Sequence, residues 1–166
     1  MARFYESQLG EVAHLNVPRP DKLMITHASA LRARGVHLDR PEGDIDIVTT
    51  QENLSYLRRK LGFIATHEER YYEEDLPTKI RMIRSQDGRF DIFGHDFIPE
   101  LYRKTKRGRI YPNQLFAMHD ARFDQDEETG IWVASIPFVI ATKMNTGRQK
   151  DVEDIRRAWQ FYDQGY

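Results

Sequence analysis

Gly43-Asp44-Ile45-Asp46-Ile47-Val48-Thr49-Thr50-Gln51-Glu52-Asn53-Leu54-Ser55-Tyr56-Leu57-Arg58-Arg59-Lys60-Leu61-Gly62 is the best-specified stretch of the chain. Ile45, Ile47 and Val48 are β-branched and follow a glycine, so 44–48 reads as a strand. Thr49 and Glu52 stand at capping-box spacing and announce a helix. Leu54, Leu57 and Leu61 recur at helical spacing, and Gly62 sits where a helix should end. On a strand, residues two apart point to one face. Asp44 and Asp46 therefore project together, with α-carbons about 6.5–7 Å apart. Aspartate is disfavoured in strands. Two carboxylates on one face also repel, and burial raises the cost of keeping both ionised. A divalent cation removes that penalty, and magnesium suits it as a hard ion that prefers carboxylates, water and phosphate oxygens. For an isolated Asp-x-Asp a solvated strand start is the simpler account; the apolar strand around this pair favours a ligand.

Downstream, Phe63–Thr66 reads as another strand. Lys79–Arg84 and Arg89–Phe93 flank Asp87-Gly88, a hairpin signal because both turn positions favour positive φ. Asp91 lies on the second arm. If that arm sits beside 44–48, about 4.8 Å away, Asp91 completes a cluster able to hold two metals about 3.5–4 Å apart. The same turn sets Arg84 opposite Asp91, so a cross-strand ion pair explains Asp91 equally well. Ala121–Asp126 and Ile131–Ala134 suggest a second hairpin. From Pro137 the chain reads as helical to Met144, Asn145-Thr146-Gly147 interrupts it, and a last helix carries Val152, Ile155, Trp159 and Tyr162 on one face. Upstream, Tyr5–Leu15 suits a short helix closed by Pro18 and Pro20. Asp21 suits the cap of a second helical stretch running to Arg34 and stopped by Gly35, although Leu23–Thr26 could equally be extended. Strands in the middle with helices around them indicate an α/β (α+β) fold with a mixed central sheet. The expectation is one domain over 1–166, with a C-terminal helical portion from about 137.

With no cysteine among 166 residues, disulfides, thiolate metal sites and cysteine nucleophiles are excluded. That composition fits a reducing cytoplasm. No apolar run approaches the roughly 20 residues of a membrane span, and the first residues lack a signal peptide's apolar stretch. The expectation is a cytoplasmic protein with no membrane partner. Its 25 basic and 26 acidic side chains give no global pull toward nucleic acid. Charge is locally uneven: Arg103, Lys104, Lys106, Arg107 and Arg109 form a basic run, and Asp124, Asp126, Glu127 and Glu128 an acidic one. Solvated loops are the simple account of both; a phosphate or RNA contact is the functional account of the first. No Gly-x-Gly-x-x-Gly or Walker loop occurs, and the acidic loop lacks an EF-hand's closing glutamate. His27 and His95 read as structural or surface residues, and Tyr71, Tyr72, Trp132 and Trp159 as core or partly buried packing residues.

Arg40-Pro41-Glu42-Gly43-Asp44-Ile45-Asp46-Ile47 resembles the signature of the DNA polymerase β-type nucleotidyltransferase superfamily. More closely it resembles the small AbiE-type toxin nucleotidyltransferases, in which an arginine stands four residues before the first aspartate. Lys143 followed by Arg148-Gln149-Lys150-Asp151 and then Asp154 resembles that group's later helical motif. The resemblance implies a nucleotidyltransferase-like fold and magnesium-dependent transfer of a nucleotidyl group from a nucleoside triphosphate to an acceptor hydroxyl. It assigns magnesium to Asp44 and Asp46, with Asp91 as the third carboxylate helping to activate the hydroxyl. Lys143 would contact the nucleotide, with Arg40 and Lys150 beside it and Asp151 completing or bracing the site.

The family's Gly-Gly or Gly-Ser pair aligns instead with His27-Ala28, followed by Ser29, whose hydroxyl could still serve a phosphate. Kept carboxylates with an altered phosphate cradle also suit a non-catalytic nucleotide-binding or protein-interaction domain. The AbiE-type likeness implies an RNA acceptor, met by Arg103, Lys104, Lys106 and Arg107, and an antitoxin partner. Kanamycin- or lincosamide-type relatives imply a small hydroxylated acceptor. Without the first motif, Lys143, Arg148, Lys150, Asp151 and Asp154 would read as the solvated face of two helices.

Overall fold

The computed structural model describes residues 6–70, 79–94, 102–104, 110–112, 124–144 and 147–165. Tyr71, Tyr72, His95, Lys106, Arg107, Arg109, Ala121 and Asn145-Thr146 fall outside them. The elements run α1 (Glu6–Ala13), a 3-10 turn (Pro20–Lys22), β1 (Met24–Ile25), α2 (His27–Ala33), β2 (Ile45–Thr49) and α3 (Gln51–Leu61). Then come β3 (Ile64–Arg70), β4 (Lys79–Arg84), β5 (Phe90–Gly94), β6 (Tyr102–Lys104) and β7 (Ile110–Pro112). The chain closes with β8 (Asp124–Gln125), β9 (Trp132–Val133), α4 (Ile136–Met144) and α5 (Gln149–Tyr162).

Among the described residues, seven strands form one mixed sheet in the order β3-β4-β5-β2-β1-β9-β8, and β6 and β7 pair separately. Strand β2 lies inside this sheet, parallel to β5 and antiparallel to β1. Its Ile45, Ile47, Val48 and Thr49 are buried, as expected of an apolar interior strand. Of the two accounts of Leu23–Thr26 the extended one holds. A 3-10 turn stands where the helix expected from Asp21 would start, the helix itself forms only as α2, His27–Ala33, before Gly35, and Met24 and Ile25 bury completely between β2 and β9.

The helix after β2 begins one residue later than its capping-box spacing suggested. Thr50 is the cap, accepting from the Asn53 N–H at 3.5 Å. Thr49 is drawn into the sheet instead: its hydroxyl donates to the Lys22 carbonyl at 2.9 Å and accepts from the Asn53 amide at 2.9 Å. Leu54 and Leu57 pack inward, and Gly62 ends α3 in left-handed backbone at φ 66°. The β4–β5 hairpin has the expected register, Arg84 opposite Asp91. Only Gly88 takes positive φ in its turn, however. Asp87 instead uses its carboxylate to accept from the Ser85 hydroxyl and the Arg89 N–H.

Gly94 ends β5 against α3, where an added Cβ would lie 1.8 Å from Leu54 Cδ1. Gly94→Ala should therefore cost about 1–3 kcal/mol by overpacking, read as a lower urea midpoint. A midpoint unchanged from wild type would show that α3 yields freely.

On α5 the buried residues are Asp151, Asp154 and Ala158. Val152 (54 % exposed), Trp159 (47 %) and Tyr162 (39 %) lie outward, so Trp159 is a surface residue that packs edge-to-face on Tyr162. Charges can take the inner side because ionic partners wait there, as described below. Among the described residues no helix is long and apolar enough to cross a membrane.

Candidate active site

Parallel pairing of β2 with β5 sets Asp46 beside Asp91. Asp44 stands two residues before Asp46, just ahead of the strand, and shares its face. One carboxylate oxygen from each of Asp44, Asp46 and Asp91 lies within 4.8 Å of the others. Asp91 is buried, Asp46 half-buried and Asp44 exposed. Burial, then the charges of Asp44 and Asp91, push Asp46 up to about 7. This set of hard oxygen donors fits a magnesium-like cation, whose charge would relieve the repulsion that raises Asp46.

The backbone beneath the cluster is clamped. Ser29, fully buried on α2, donates its hydroxyl to the Asp44 carbonyl at 3.2 Å and accepts from the Asp46 N–H at 3.1 Å. A hydroxyl has one proton, so Ser29 here secures the strand start. Arg32 donates to the carbonyls of Arg40 and Pro41, and Arg89 to that of Gly43. Arg89 also grips both carboxylate oxygens of Glu11 on α1 at 2.7 Å.

The cross-strand ion pair is formed, and Asp91 also stands among the acidic groups. Its two oxygens accept from Nε and Nη2 of Arg84 at 2.5 Å. Nη2 of Arg84 also lies 4.0 Å from an Asp44 oxygen.

The later motif is a buried ionic network. Nζ of Lys143 lies 2.6 Å from Asp151 Oδ1 and 2.8 Å from Asp154 Oδ2. Arg148 bonds Asp151, and Arg40 bonds Asp154 with two nitrogens at 3.2 and 2.8 Å. Lys143, Asp151 and Asp154 are at most 3 % exposed, so the solvated-face account fails for these three. Burial presses the Asp154 carboxyl upward, but hydrogen bonds from Arg40 and Lys143 outweigh it and hold the group below its usual range. The network ties α4 and α5 to the loop that delivers Asp44.

Together these parts line a pocket of about 410 Å³, a volume ordinary for a small-molecule site. Arg32, Arg40, Arg84, Lys143, Arg148 and Lys150 bring six cations to a wall that also carries the three aspartates. Such a wall suits a polyanion presented with a divalent ion. Arg32 lies one turn beyond Ser29 on α2, outside any motif, and reaches this wall through the packing of that helix.

His27 lines the same pocket. Its backbone is left-handed, φ 52°, in the position where the family resemblance places the first glycine. Burial, then the charge of Lys143, lowers the His27 imidazole to about 4, so it is neutral at pH 7. Of the basic run, Arg103 and Lys104 fall on β6 and the rest lies outside the described residues.

No protein-family model and no curated protein sequence matches the chain. Its fold is nevertheless the mixed α/β fold of solved nucleotidyltransferases. A crystal structure of a Thermotoga maritima protein assigned as a nucleotidyltransferase aligns with TM-score 0.51 at 17 % identity, covering 95 % of this chain and 91 % of that one. The solution structure of the antibiotic-resistance factor ANT(2'')-Ia aligns with TM-score 0.50 at 16 % identity, covering 95 % and 86 %.

Proposed function

We propose that this protein transfers a nucleotidyl group from a nucleoside triphosphate to an acceptor hydroxyl. The observation that carries the reading is the convergence of Asp44, Asp46 and Asp91 in a pocket walled by cations. Asp44, Asp46 and Asp91 would hold magnesium, which would supply a Lewis acid for phosphate oxygens. Asp91 orients the acceptor hydroxyl and receives its proton. The acceptor oxygen bonds to the α-phosphorus, the α–β phosphoanhydride bond breaks, and pyrophosphate leaves. Lys150, Arg148 and Arg40 attract the triphosphate, and Lys143, braced by Asp151, adds its charge from beneath. Ser29 serves through the backbone of Asp44 and Asp46.

The AbiE-type motif supports an RNA acceptor, a toxin role in the cytoplasm and a protein antitoxin. In this reading Arg103, Lys104, Lys106 and Arg107 meet the RNA phosphates. Incubation with labelled triphosphates, magnesium and total RNA should yield labelled RNA. RNA affinity should also fall steeply with salt. Labelling of a small hydroxylated compound instead would reassign the acceptor. Absence of labelled product and of pyrophosphate with every acceptor would overturn the reading.

One observation favours binding without turnover: a histidine side chain stands where a glycine would let the backbone approach phosphates. His27→Gly should relieve the left-handed strain and tighten magnesium–triphosphate binding about tenfold, the equivalent of ~1.4 kcal/mol. Calorimetric titration checks this. Unchanged affinity would show that residue 27 does not limit the cradle.

A further inference from the structure

Arg84 is paired inside the acidic cluster. The hairpin register fixes it opposite Asp91. Its guanidinium engages both oxygens of that buried carboxylate in a parallel fork. The same group reaches to 4.0 Å from Asp44, so one cation spans two members of the acidic cluster. The side chain is itself 45 % exposed, entering from the solvent side while Asp91 lies beneath it.

We propose that Arg84 fills the place of a second metal ion, so that the cluster takes one divalent cation where a three-carboxylate site could take two. The inference rests on the metal-binding reading of Asp44, Asp46 and Asp91 given above. A two-ion centre needs cations about 3.5–4 Å apart, bound on both sides by shared carboxylates. Arg84 already takes one lone pair from each Asp91 oxygen, so Asp91 has too little left to share between two ions while it still reaches one. Charge leads the same way: three carboxylates are balanced by one guanidinium and one divalent ion. A second ion would have to displace the guanidinium or lie against it. Arg84 is on this account a positioning residue, setting how many ions the centre holds and which lone pairs of Asp91 remain for the acceptor.

The test is a manganese(II) titration of the whole protein without nucleotide, followed by electron paramagnetic resonance. Wild type should bind one manganese ion per chain with the spectrum of an isolated ion. Arg84→Met should bind two and show spin coupling between them, and Arg84→Gln should do the same if the methionine variant folds poorly. Arg84→Lys, which keeps a positive charge at the site, should remain at one. Asp44→Ala with Asp46→Ala should bind none, which ties the count to this cluster. Two ions in wild type, or one ion in both neutral variants, would overturn the role of Arg84 and leave the metal centre standing. No manganese in wild type would remove the metal centre itself, and this inference with it.

Discussion

Asp44→Ala combined with Asp46→Ala should abolish nucleotidyl transfer and yet make the metal-free protein more stable above neutral pH. Loss of activity should be on the order of 10³-fold or more, the kinetic equivalent of the several kcal/mol that metal coordination supplies. The gain in stability follows from linkage. The Asp46 carboxyl has an ordinary value of 3.8 and stands near 7 in the folded protein, through burial and the neighbouring charges of Asp44 and Asp91. A carboxyl raised in this way contributes stability that is fully present below its unfolded value and is lost as pH rises through its folded one. Wild type should therefore weaken between about pH 4 and 7 relative to the double variant. Urea midpoints at pH 5 and pH 8, with and without magnesium, measure the effect. Magnesium should restore the wild-type midpoint at pH 8 and leave the variant's unchanged. A variant that kept its transferase activity, or that was less stable than wild type at pH 8 without metal, would contradict the account.

Lys143→Met should be the most destabilising single change at the pocket. It leaves Asp151 and Asp154, at most 1 % exposed, without the ammonium that bonds both. Removing one partner of a buried ionic pair costs about 3–5 kcal/mol. Arg148 and Arg40 still bond the two carboxylates, which favours the lower figure. Asp154 gives a second readout. Its lowered carboxyl contributes stability present above its ordinary 3.8 and lost as pH falls through the lowered value. Without Lys143 that contribution shrinks, so the acid-unfolding midpoint should move to higher pH. Chemical denaturation at pH 7 and an acid titration followed by circular dichroism test both parts. A loss below about 1 kcal/mol, typical of exposed pairs, would show that the arginines alone satisfy the network.

The parts of this structure that follow local rules were legible in the chain. The β-branched Ile45, Ile47 and Val48 after Gly43 located β2, leucine spacing located α3, and the turn before Arg89 fixed Arg84 against Asp91. What was hidden depends on distant segments. Choosing Thr50 over Thr49 as the cap is decided by the Lys22 carbonyl, which claims the Thr49 hydroxyl. β1 is only two residues long, too short for any periodicity, and its place beside β2 comes from the sheet. On α5 the apolar residues suggested the inner face, but Asp151 and Asp154 occupy it because Lys143 and Arg40 reach them from elsewhere in the chain. The cluster of three aspartates was conditional on β5 lying beside β2, a parallel pairing that no turn between them enforces. Nothing in the identity of His27 announced its left-handed backbone, since only the aligned glycine of a resembling family marked the position.

That parallel pairing also governs when in folding the centre can exist. The hairpin of β4 and β5 is local and can close early, joining Arg84 to Asp91, whereas Asp46 meets Asp91 only after a long loop has been closed at an entropic cost. A nascent chain that has emerged only as far as β2 therefore carries the first two acidic groups without the third. The three carboxylates thus cannot come together before the sheet is built, and a half-made copy lacks the full acidic cluster.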